Sequence, residues 1–177
     1  MVLETERLVL RPIVPEDWRQ LFPIMSDPAV MAYWDAAEID DPEIVAQMAA
    51  AQVADMKLGL GAYWAVERGG DRAFLGACDL SDIDRRHRRG EVGFLLAKSA
   101  WGQGFGLEAM RAVVGYAAAL GLERLSARVH AGNLRSERLL AALGFEEEGC
   151  LRSHIQRAGE RRDCKVFGLL LWAPTPP

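Results

Sequence analysis

Residues 101–109 of this chain read Trp101-Gly102-Gln103-Gly104-Phe105-Gly106-Leu107-Glu108-Ala109, with alternating glycines that lead directly into a helical pattern. Glycine lets the backbone turn sharply, and it lets amide groups approach a ligand without a Cβ atom in the way. A helix N-terminus adds unpaired N–H donors and a partial positive charge. The stretch therefore predicts a cradle for a phosphate or pyrophosphate group. A glycine turn that only starts the helix is the alternative.

The spacing of these glycines excludes two common phosphate-binding loops. A P-loop requires G-x-x-x-x-G-K-[ST], and no lysine follows Gly106. A dinucleotide-binding fingerprint requires G-x-G-x-x-G early in a βαβ unit, whereas this chain has G-x-G-x-G halfway along its length. The expected phosphate site therefore belongs to another class of protein.

Composition indicates one globular domain with a hydrophobic core. The chain has 177 residues, of which 50% are hydrophobic, and its net charge of −4 argues against a general nucleic-acid binder. No apolar run reaches the ~20 residues of a membrane helix, and the first residues lack the apolar segment of a signal peptide. Cys78, Cys150 and Cys164 form no C-x-x-C motif. We therefore expect reduced thiols in a cytoplasmic protein without nucleic-acid or membrane partners.

Hydrophobic periodicity and turn residues predict strands that alternate with helices. Strands are expected at 3–14, 62–68, 73–80, 91–97, 122–131, 145–155 and 161–172, and helices at 15–25, 41–58, 104–120 and 134–143. Asp27-Pro28 is expected to end the first helix, and a polar loop is expected at 81–90. This order predicts an α/β fold with a mixed sheet of about seven strands and about four helices. It forms one domain at 1–172, followed by a frayed tail at 173–177.

One predicted crossover concerns ligand binding. Strand 91–97 connects through helix 104–120 to strand 122–131, which makes a right-handed βαβ unit with parallel strands. Ligands bind at the carboxyl ends of the strands in such units. We therefore expect these two strands to separate at their carboxyl ends, so that a ligand can enter between them.

Several further motifs follow one another along the chain. They are Thr5-Glu6-Arg7-Leu8-Val9-Leu10-Arg11, Glu91-Val92-Gly93-Phe94 ahead of the glycine stretch, Asn133-x-x-Ser136, Leu143-Gly144-Phe145, Gly149, Leu151-Arg152 and Arg162-Asp163. In this order they resemble the GNAT superfamily of acyl-CoA-dependent N-acyltransferases, and within it the branch of ribosomal-protein N-terminal acetyltransferases. The resemblance covers nearly the whole chain. It implies a sheet splayed around a CoA site and an enzyme that moves an acetyl group from acetyl-CoA to a primary amine.

The resemblance implies roles for the residues that would bind acetyl-CoA. The amide groups of Gln103, Gly104, Phe105 and Gly106 would bind the CoA pyrophosphate, with Gly102 allowing the turn, and the backbone of Phe94, Leu95 and Leu96 would pair with the pantetheine arm. Asn133 would contact the CoA arm, although as a good helix N-cap it also has a purely structural explanation. Trp101 stands where the superfamily usually has Gln or Arg, a departure that is typical of this branch.

Only a neutral amine attacks a thioester, so the acceptor must first lose a proton. Near neutral pH this costs about 1 kcal/mol or less for an α-amine of pKa about 8 and about 4 kcal/mol for an amine of pKa about 10.4, where a general base helps more. Glu91 is the candidate base, since family members often carry an acid on this strand. The alternative is a surface carboxylate that pairs with a residue such as Arg89. Glu67 and Asp79 are secondary candidates.

Ser136 is the candidate proton donor to the departing sulfur. Many members of the superfamily use a tyrosine on this helix, and none occurs between Asn133 and Phe145. The alternative is that Ser136 is only a first-turn residue. Because the tyrosine is missing, a non-catalytic acyl-CoA-binding module is the alternative function for the whole chain.

Tyr33 and Trp34 are the candidate acceptor-site residues, because the resemblance implies that the region between the first two helices shapes the acceptor site, and exposed aromatic residues can line a pocket. A local hydrophobic plug is the alternative. The acceptor is a protein N-terminus or a small-molecule amine, and monomer and homodimer are both open.

A run of basic residues, Arg85-Arg86-His87-Arg88-Arg89, is expected to form a solvated loop. Contact with an acidic substrate, a nucleic acid or a CoA phosphate is the alternative. Asp79, Asp82 and Asp84 precede this run but miss the spacing of an EF-hand, so no metal is expected. His130 and His154 are expected to be ordinary strand histidines.

Overall fold

An eight-stranded sheet forms the centre of the computed structural model, which describes residues 1–172. The strands are β1 (Leu3–Glu4), β2 (Leu8–Pro12), β3 (Ala62–Arg68), β4 (Phe74–Asp84), β5 (Arg89–Leu96), β6 (Arg124–His130), β7 (Glu146–Arg157) and β8 (Glu160–Leu170). Their spatial order is β1-β2-β3-β4-β5-β6-β8-β7. The β5–β6 pair is parallel and the other pairs of neighbours in the described chain are antiparallel. The predicted mixed α/β fold is confirmed, and the predicted tail at 173–177 lies outside the described residues.

Helices pack on both faces of this sheet. They are α1 (Trp18–Met25), α2 (Pro28–Met31), α3 (Pro42–Leu58), α4 (Phe105–Ala119) and α5 (Leu134–Ala142), and short 3-10 turns lie at Pro15–Asp17 and Lys98–Ala100. One face packs against α4 and α5 through a core that includes Trp64, Met110, Leu125 and Leu140. The other face packs against α1, α2 and α3 through a core that includes Leu21, Met31, Val45 and Leu95. Burying each such side chain contributes about 1.5–3 kcal/mol.

The first predicted strand, 3–14, is divided in the structure. The Thr5 amide donates to the Leu8 carbonyl at 3.0 Å, and the Leu8 amide donates back to the Thr5 hydroxyl at 3.0 Å. This turn folds β1 back onto β2, so that Leu3 pairs with Leu10. The sheet therefore has eight strands instead of about seven.

The dipeptide Asp27-Pro28 ends α1 as expected, but it also starts the unpredicted helix α2. The Asp27 carboxylate accepts a hydrogen bond from the Ala29 amide at 2.8 Å, and Pro28 occupies the first helical position. An N-cap followed by proline is a helix-starting signal, and this was missed because Asp-Pro also ends helices. The chain has five helices in the described part as a result.

The prediction of a polar loop at 81–90 was wrong. Strand β4 continues to Asp84 and β5 begins at Arg89, so the connection is a short hairpin turn. The Asp84 carboxylate accepts from the His87 amide at 2.9 Å and faces Arg89 Nε at 3.4 Å. These contacts close the turn and keep the basic side chains on its surface.

Candidate active site

The parallel strands β5 and β6 separate after three residue pairs. The ladder joins Arg89 to Arg124, Gly90 to Leu125 and Glu91 to Ser126. Beyond this point β5 pairs with β4 alone and β6 pairs with β8 alone. The separation confirms the prediction from the βαβ crossover. It leaves the edge of β5 from Val92 to Leu96, which includes Phe94 and Leu95, along one wall of a cleft.

The glycine stretch lies at the end of β5, where it leads into α4. Gly102 and Gly104 have φ angles of +72° and +80°, which side-chain-bearing residues rarely adopt. The Glu108 amide donates to the Gly104 carbonyl at 3.1 Å, and no side chain caps the helix at Gly104. The amides before Glu108, at Phe105 and Gly106, therefore precede the first hydrogen bond of the helix. They form the donor set that an anion requires.

The first residues of the chain hold this helix N-terminus in place. Glu108 accepts hydrogen bonds from the Thr5 hydroxyl at 2.6 Å, the Arg7 amide at 2.8 Å and Arg7 Nε at 2.7 Å. Arg7 also donates to the Gln103 carbonyl at 3.0 Å. Partial burial acts to raise the pKa of Glu108, but the hydrogen bonds from Thr5 and Arg7 lower it below its ordinary value.

Trp101 fixes the other side of the glycine stretch. Its indole N–H donates to the Leu96 carbonyl at 3.0 Å, and its ring packs against both hydrophobic cores. The Arg135 guanidinium lies 4.5 Å from the centre of this ring. A cation on α5 is therefore held beside the predicted pyrophosphate loop.

Asn133 and Ser136 lie at the β6 side of the cleft. The Asn133 amide donates to the carbonyl of His130, the last residue of β6, at 3.1 Å. Its side chain accepts from the Ser136 amide at 3.3 Å and so caps α5. The capping role is confirmed, and a contact of Asn133 with CoA stays a prediction.

Glu91 stands at the last residue pair before β5 and β6 separate. Its carboxylate accepts a hydrogen bond from Arg128 Nε at 2.9 Å. This hydrogen bond raises the pKa of Arg128 above its ordinary value. Arg89, the example of a partner given by the alternative interpretation, lies near Asp84 instead. Glu91 is therefore half of an ion pair at the branch point of the two strands.

The two secondary carboxylates have different surroundings. Glu67 is bound by Arg11 Nε at 2.6 Å and by an Arg72 guanidinium nitrogen at 2.7 Å. Asp79 lies on β4 opposite Gly93, on the sheet face that carries Glu91. Burial raises the pKa of Asp79 to about 6, and the negative charges of Glu91 and Asp82 act in the same direction.

Tyr33 and Trp34 lie in the loop between α2 and α3, which the closing hairpin and β6 hold in place. Arg157 donates to the Met31 carbonyl and, at 3.4 Å, to the Trp34 carbonyl. His130 Nε2 lies 2.8 Å from an Asp35 carboxylate oxygen, so the end of β6 contacts this loop. Tyr33 is exposed, whereas Trp34 packs against the core beneath α1 and α2. The hydrophobic-plug alternative thus describes Trp34 better than Tyr33.

In residues 1–172, no group of three or more His, Cys, Asp or Glu side chains is arranged to hold a metal ion. No helix in this part of the chain is long and apolar enough to cross a membrane. Cys78 and Cys164 are buried and Cys150 is exposed, and all three are free thiols.

Comparisons with known proteins agree with the fold. The acetyltransferase (GNAT) domain family matches residues 7–146. The uncharacterized N-acetyltransferase YoaA of Bacillus subtilis is 32% identical over 170 residues, which are 96% of each chain. The chain therefore belongs to the GNAT acetyltransferase family.

Solved structures with the same fold include two acetyltransferases in complex with CoA. RimL, the ribosomal L7/L12 alpha-N-protein acetyltransferase, superposes with a TM-score of 0.88 at 16% identity, covering 96% of this chain and 98% of RimL. The spermidine N-acetyltransferase of Vibrio cholerae, in complex with CoA and spermine, superposes with a TM-score of 0.83 at 22% identity, covering 94% and 96%. At these identities the likeness concerns the fold.

Several residues of the site were missed by sequence reasoning. Arg128 and Arg135 contact Glu91 and Trp101 from elements more than 25 residues away, and no local pattern indicates such contacts. His130 was taken as an ordinary strand histidine, yet it is buried and bonded to Asp35. The pairing of Arg7 with Glu108 has a signal in the sequence, because the two residues belong to the motifs at 5–11 and 101–109.

Proposed function

We propose that this protein transfers the acetyl group of acetyl-CoA to a primary amine by direct attack of the amine on the thioester. The observation that carries the proposal is the separation of β5 and β6 immediately before a helix N-terminus with uncapped amides. A strand edge suits an extended, amide-containing arm, and the helix N-terminus suits a pyrophosphate. Two solved structures with this fold are of acetyltransferases in complex with CoA.

Donor binding falls to groups on both walls of the cleft. The amides at Gln103, Gly104, Phe105 and Gly106 would hold the pyrophosphate, and Arg135 adds a positive charge beside them. The backbone of Phe94, Leu95 and Leu96 would hold the pantetheine arm, with the Asn133 side chain on the opposite wall. Because the backbone of β5 would make the polar contacts with the pantetheine arm, the side chains of this strand need only be apolar.

The acceptor would approach from the sheet face that carries Glu91, next to the loop that contains Tyr33 and Trp34. Both a protein N-terminus and a small-molecule amine fit this proposal. The carboxylates of Asp35, Glu38 and Glu91 lie on this side, each paired with a basic side chain. Proteins with this fold act on the ribosomal protein L7/L12 and on spermidine.

Proton transfer completes the reaction. A carboxylate would take the proton of the amine directly or through water, with Glu91 as the first candidate and Asp79 and Glu67 as secondary ones. Ser136 would give a proton to the departing sulfur. Replacing Glu91 by Gln or Ser136 by Ala is therefore expected to lower kcat about 10-fold or more. Unchanged kcat in both variants would remove these two roles and leave the enzymatic assignment intact.

An acceptor screen tests the proposed function. The protein is incubated with acetyl-CoA and a panel of amines, including peptides with varied N-termini, polyamines and amino acids. Released thiol and acetylated product are measured together. Equal amounts of both support the proposal. Tight binding of acetyl-CoA without any acetylated amine would support the non-catalytic acyl-CoA-binding module instead.

A further inference from the structure

Asp79 directs its carboxylate across the strand that borders the cleft. In the register of the sheet, Asp79 of β4 lies opposite Tyr63 of β3 on one side and opposite Gly93 of β5 on the other. A methyl group placed on Gly93 would come within 2.8 Å of the Asp79 Oδ1 atom. The absence of a side chain at Gly93 therefore gives the carboxylate room above β5, two residues from Glu91.

The three carboxylates of this part of the sheet differ in their partners. Glu67 is bound by Arg11 and Arg72, and Glu91 is bound by Arg128. Asp79 has no basic side chain within 4.0 Å in the described chain. A carboxylate held by a guanidinium loses that ion pair when it takes up a proton, whereas Asp79 has no ion pair to lose.

The charges around Asp79 favour its neutral form. Burial raises its pKa to about 6, a hydrogen bond with Ser81 acts in the opposite direction, and the negative charges of Glu91 and Asp82 raise the pKa further. Burial, followed by the negative charges of Asp79 and Asp55, also raises the pKa of Tyr63 to about 12, so its hydroxyl stays protonated. Two carboxylates with such different surroundings are typical of divided acid–base roles.

We propose that Asp79 is the group that accepts the proton of the acceptor ammonium, and that the Glu91–Arg128 pair positions the acceptor. This assignment rests on the proposed function and deepens it. The ammonium gives one proton to the Asp79 carboxylate, and the neutral amine attacks the thioester carbonyl. The new C–N bond forms and the C–S bond breaks. Ser136 gives its hydroxyl proton to the departing thiolate and receives the nitrogen's second proton in return. The Asp79 carboxyl then releases its proton to water.

The pH dependence of Asp79→Asn tests this role. We calculate kcat/KM from the total concentration of amine, protonated and neutral together. On this scale the wild-type value is expected to stay constant from pH about 6 up to the pKa of the amine. The variant accepts only amine that is already neutral. Its kcat/KM is expected to fall about 100- to 1000-fold at pH 7 for an amine of pKa about 10.4, and to rise tenfold per pH unit up to that pKa. Spermidine and a peptide with N-terminal alanine are the probes.

Two further variants separate the proton role from a structural one. Asp82→Asn changes an exposed acid on the same strand, and its kcat/KM near pH 8 is expected to match the wild type. Gly93→Ala keeps the acid but displaces its carboxylate, so its rate is expected to fall near neutral pH and to recover at high pH. If Asp79→Asn does not fold, the pH profile of Gly93→Ala tests the proton-accepting role in its place.

The outcomes are distinct. A loss in Asp79→Asn that shrinks as pH rises, with Asp82→Asn unchanged, supports the assignment. A loss of equal size at every pH, or a wild-type profile in both Asp79→Asn and Gly93→Ala, overturns it while acetyl transfer stands. If the wild type acetylates no amine in the panel, the proposed function itself fails.

Discussion

Arg7 and Glu108 form an ion pair with a nitrogen–oxygen distance of 2.6 Å, although they lie 101 residues apart in the chain. The pair joins the first turn of α4 to the turn between β1 and β2. Arg7 also reaches the Gln103 carbonyl, so the chain's N-terminal segment contacts the glycine stretch directly. Two sequence motifs that look independent therefore build one structure, the proposed pyrophosphate loop.

Replacing Glu108 by Gln is expected to weaken both the fold and donor binding. The variant loses the charge that Thr5 and Arg7 bond to, and since Arg7 is largely solvent-exposed the free energy of unfolding falls by only about 1 kcal/mol. The KM for acetyl-CoA is expected to rise several-fold because Arg7 no longer fixes the loop. Denaturant unfolding and titration with CoA measure the two effects. Glu123→Gln, which removes an exposed ion pair with Arg88, is the control and should change neither.

Gly104→Ala tests the conformation of the proposed phosphate loop. Gly104 has φ +80°, and a methyl group there would lie 3.3 Å from an Arg7 guanidinium nitrogen. Alanine is strained at this φ by about 1–2 kcal/mol, so stability and CoA affinity are both expected to fall. Gly115→Ala is the matched control. Gly115 lies inside α4 with nothing near its added methyl group, and the change is expected to stabilise by about 0.5–1 kcal/mol with unchanged CoA affinity.

Two substitutions at Asn133 separate capping from cofactor contact. Serine caps a helix about as well as asparagine, whereas alanine loses about 1 kcal/mol. If the Asn133 amide contacts CoA, Asn133→Ser is expected to keep the wild-type melting temperature while the KM for acetyl-CoA rises about 10-fold. Thermal unfolding and initial-rate kinetics measure the two. A wild-type KM in Asn133→Ser would leave Asn133 as a cap alone.

Tyr33→Ala is expected to alter recognition of the acceptor and not of the donor. Tyr33 is 44% exposed, so its removal costs the fold little. The KM for the acceptor amine is expected to rise about 5- to 10-fold, with the KM for acetyl-CoA constant, because one aromatic contact contributes about 1 kcal/mol. Trp172→Ala changes an equally exposed aromatic residue outside this loop and serves as the control. Equal effects of the two changes would argue against an acceptor contact.

Local patterns in the sequence predicted much of this fold because local interactions determine those parts. Strand 62–68 and the helix predicted at 41–58 agree with the structure, because turn glycines bound the strand and the Asp41 side chain caps the helix. The turn at Thr5 was missed because its hydrogen bonds leave no hydrophobic signature. The strands at 81–90 were missed because polar residues can pair at the end of a hairpin.

The candidate site divides in the same way. Gly102 and Gly104 were found because a positive φ requires a particular residue type. The partner of Glu91 could not be identified from the sequence, because Arg128 reaches it only after β6 aligns beside β5. The environment of Asp79 depends on Gly93 and Tyr63, which come from two other strands. A local sequence pattern therefore could not predict the surroundings of Asp79.

The most direct test of acetyl transfer is mass-spectrometric detection of an acetylated amine together with equimolar free CoA. The wild-type protein is given acetyl-CoA and the amine panel, and Gly104→Ala is run beside it. We expect one acetyl group on a primary nitrogen, one CoA thiol per product, and slower formation of both with Gly104→Ala at limiting acetyl-CoA. Binding of acetyl-CoA with no acetylated amine at any pH from about 6 to 10 would contradict the account.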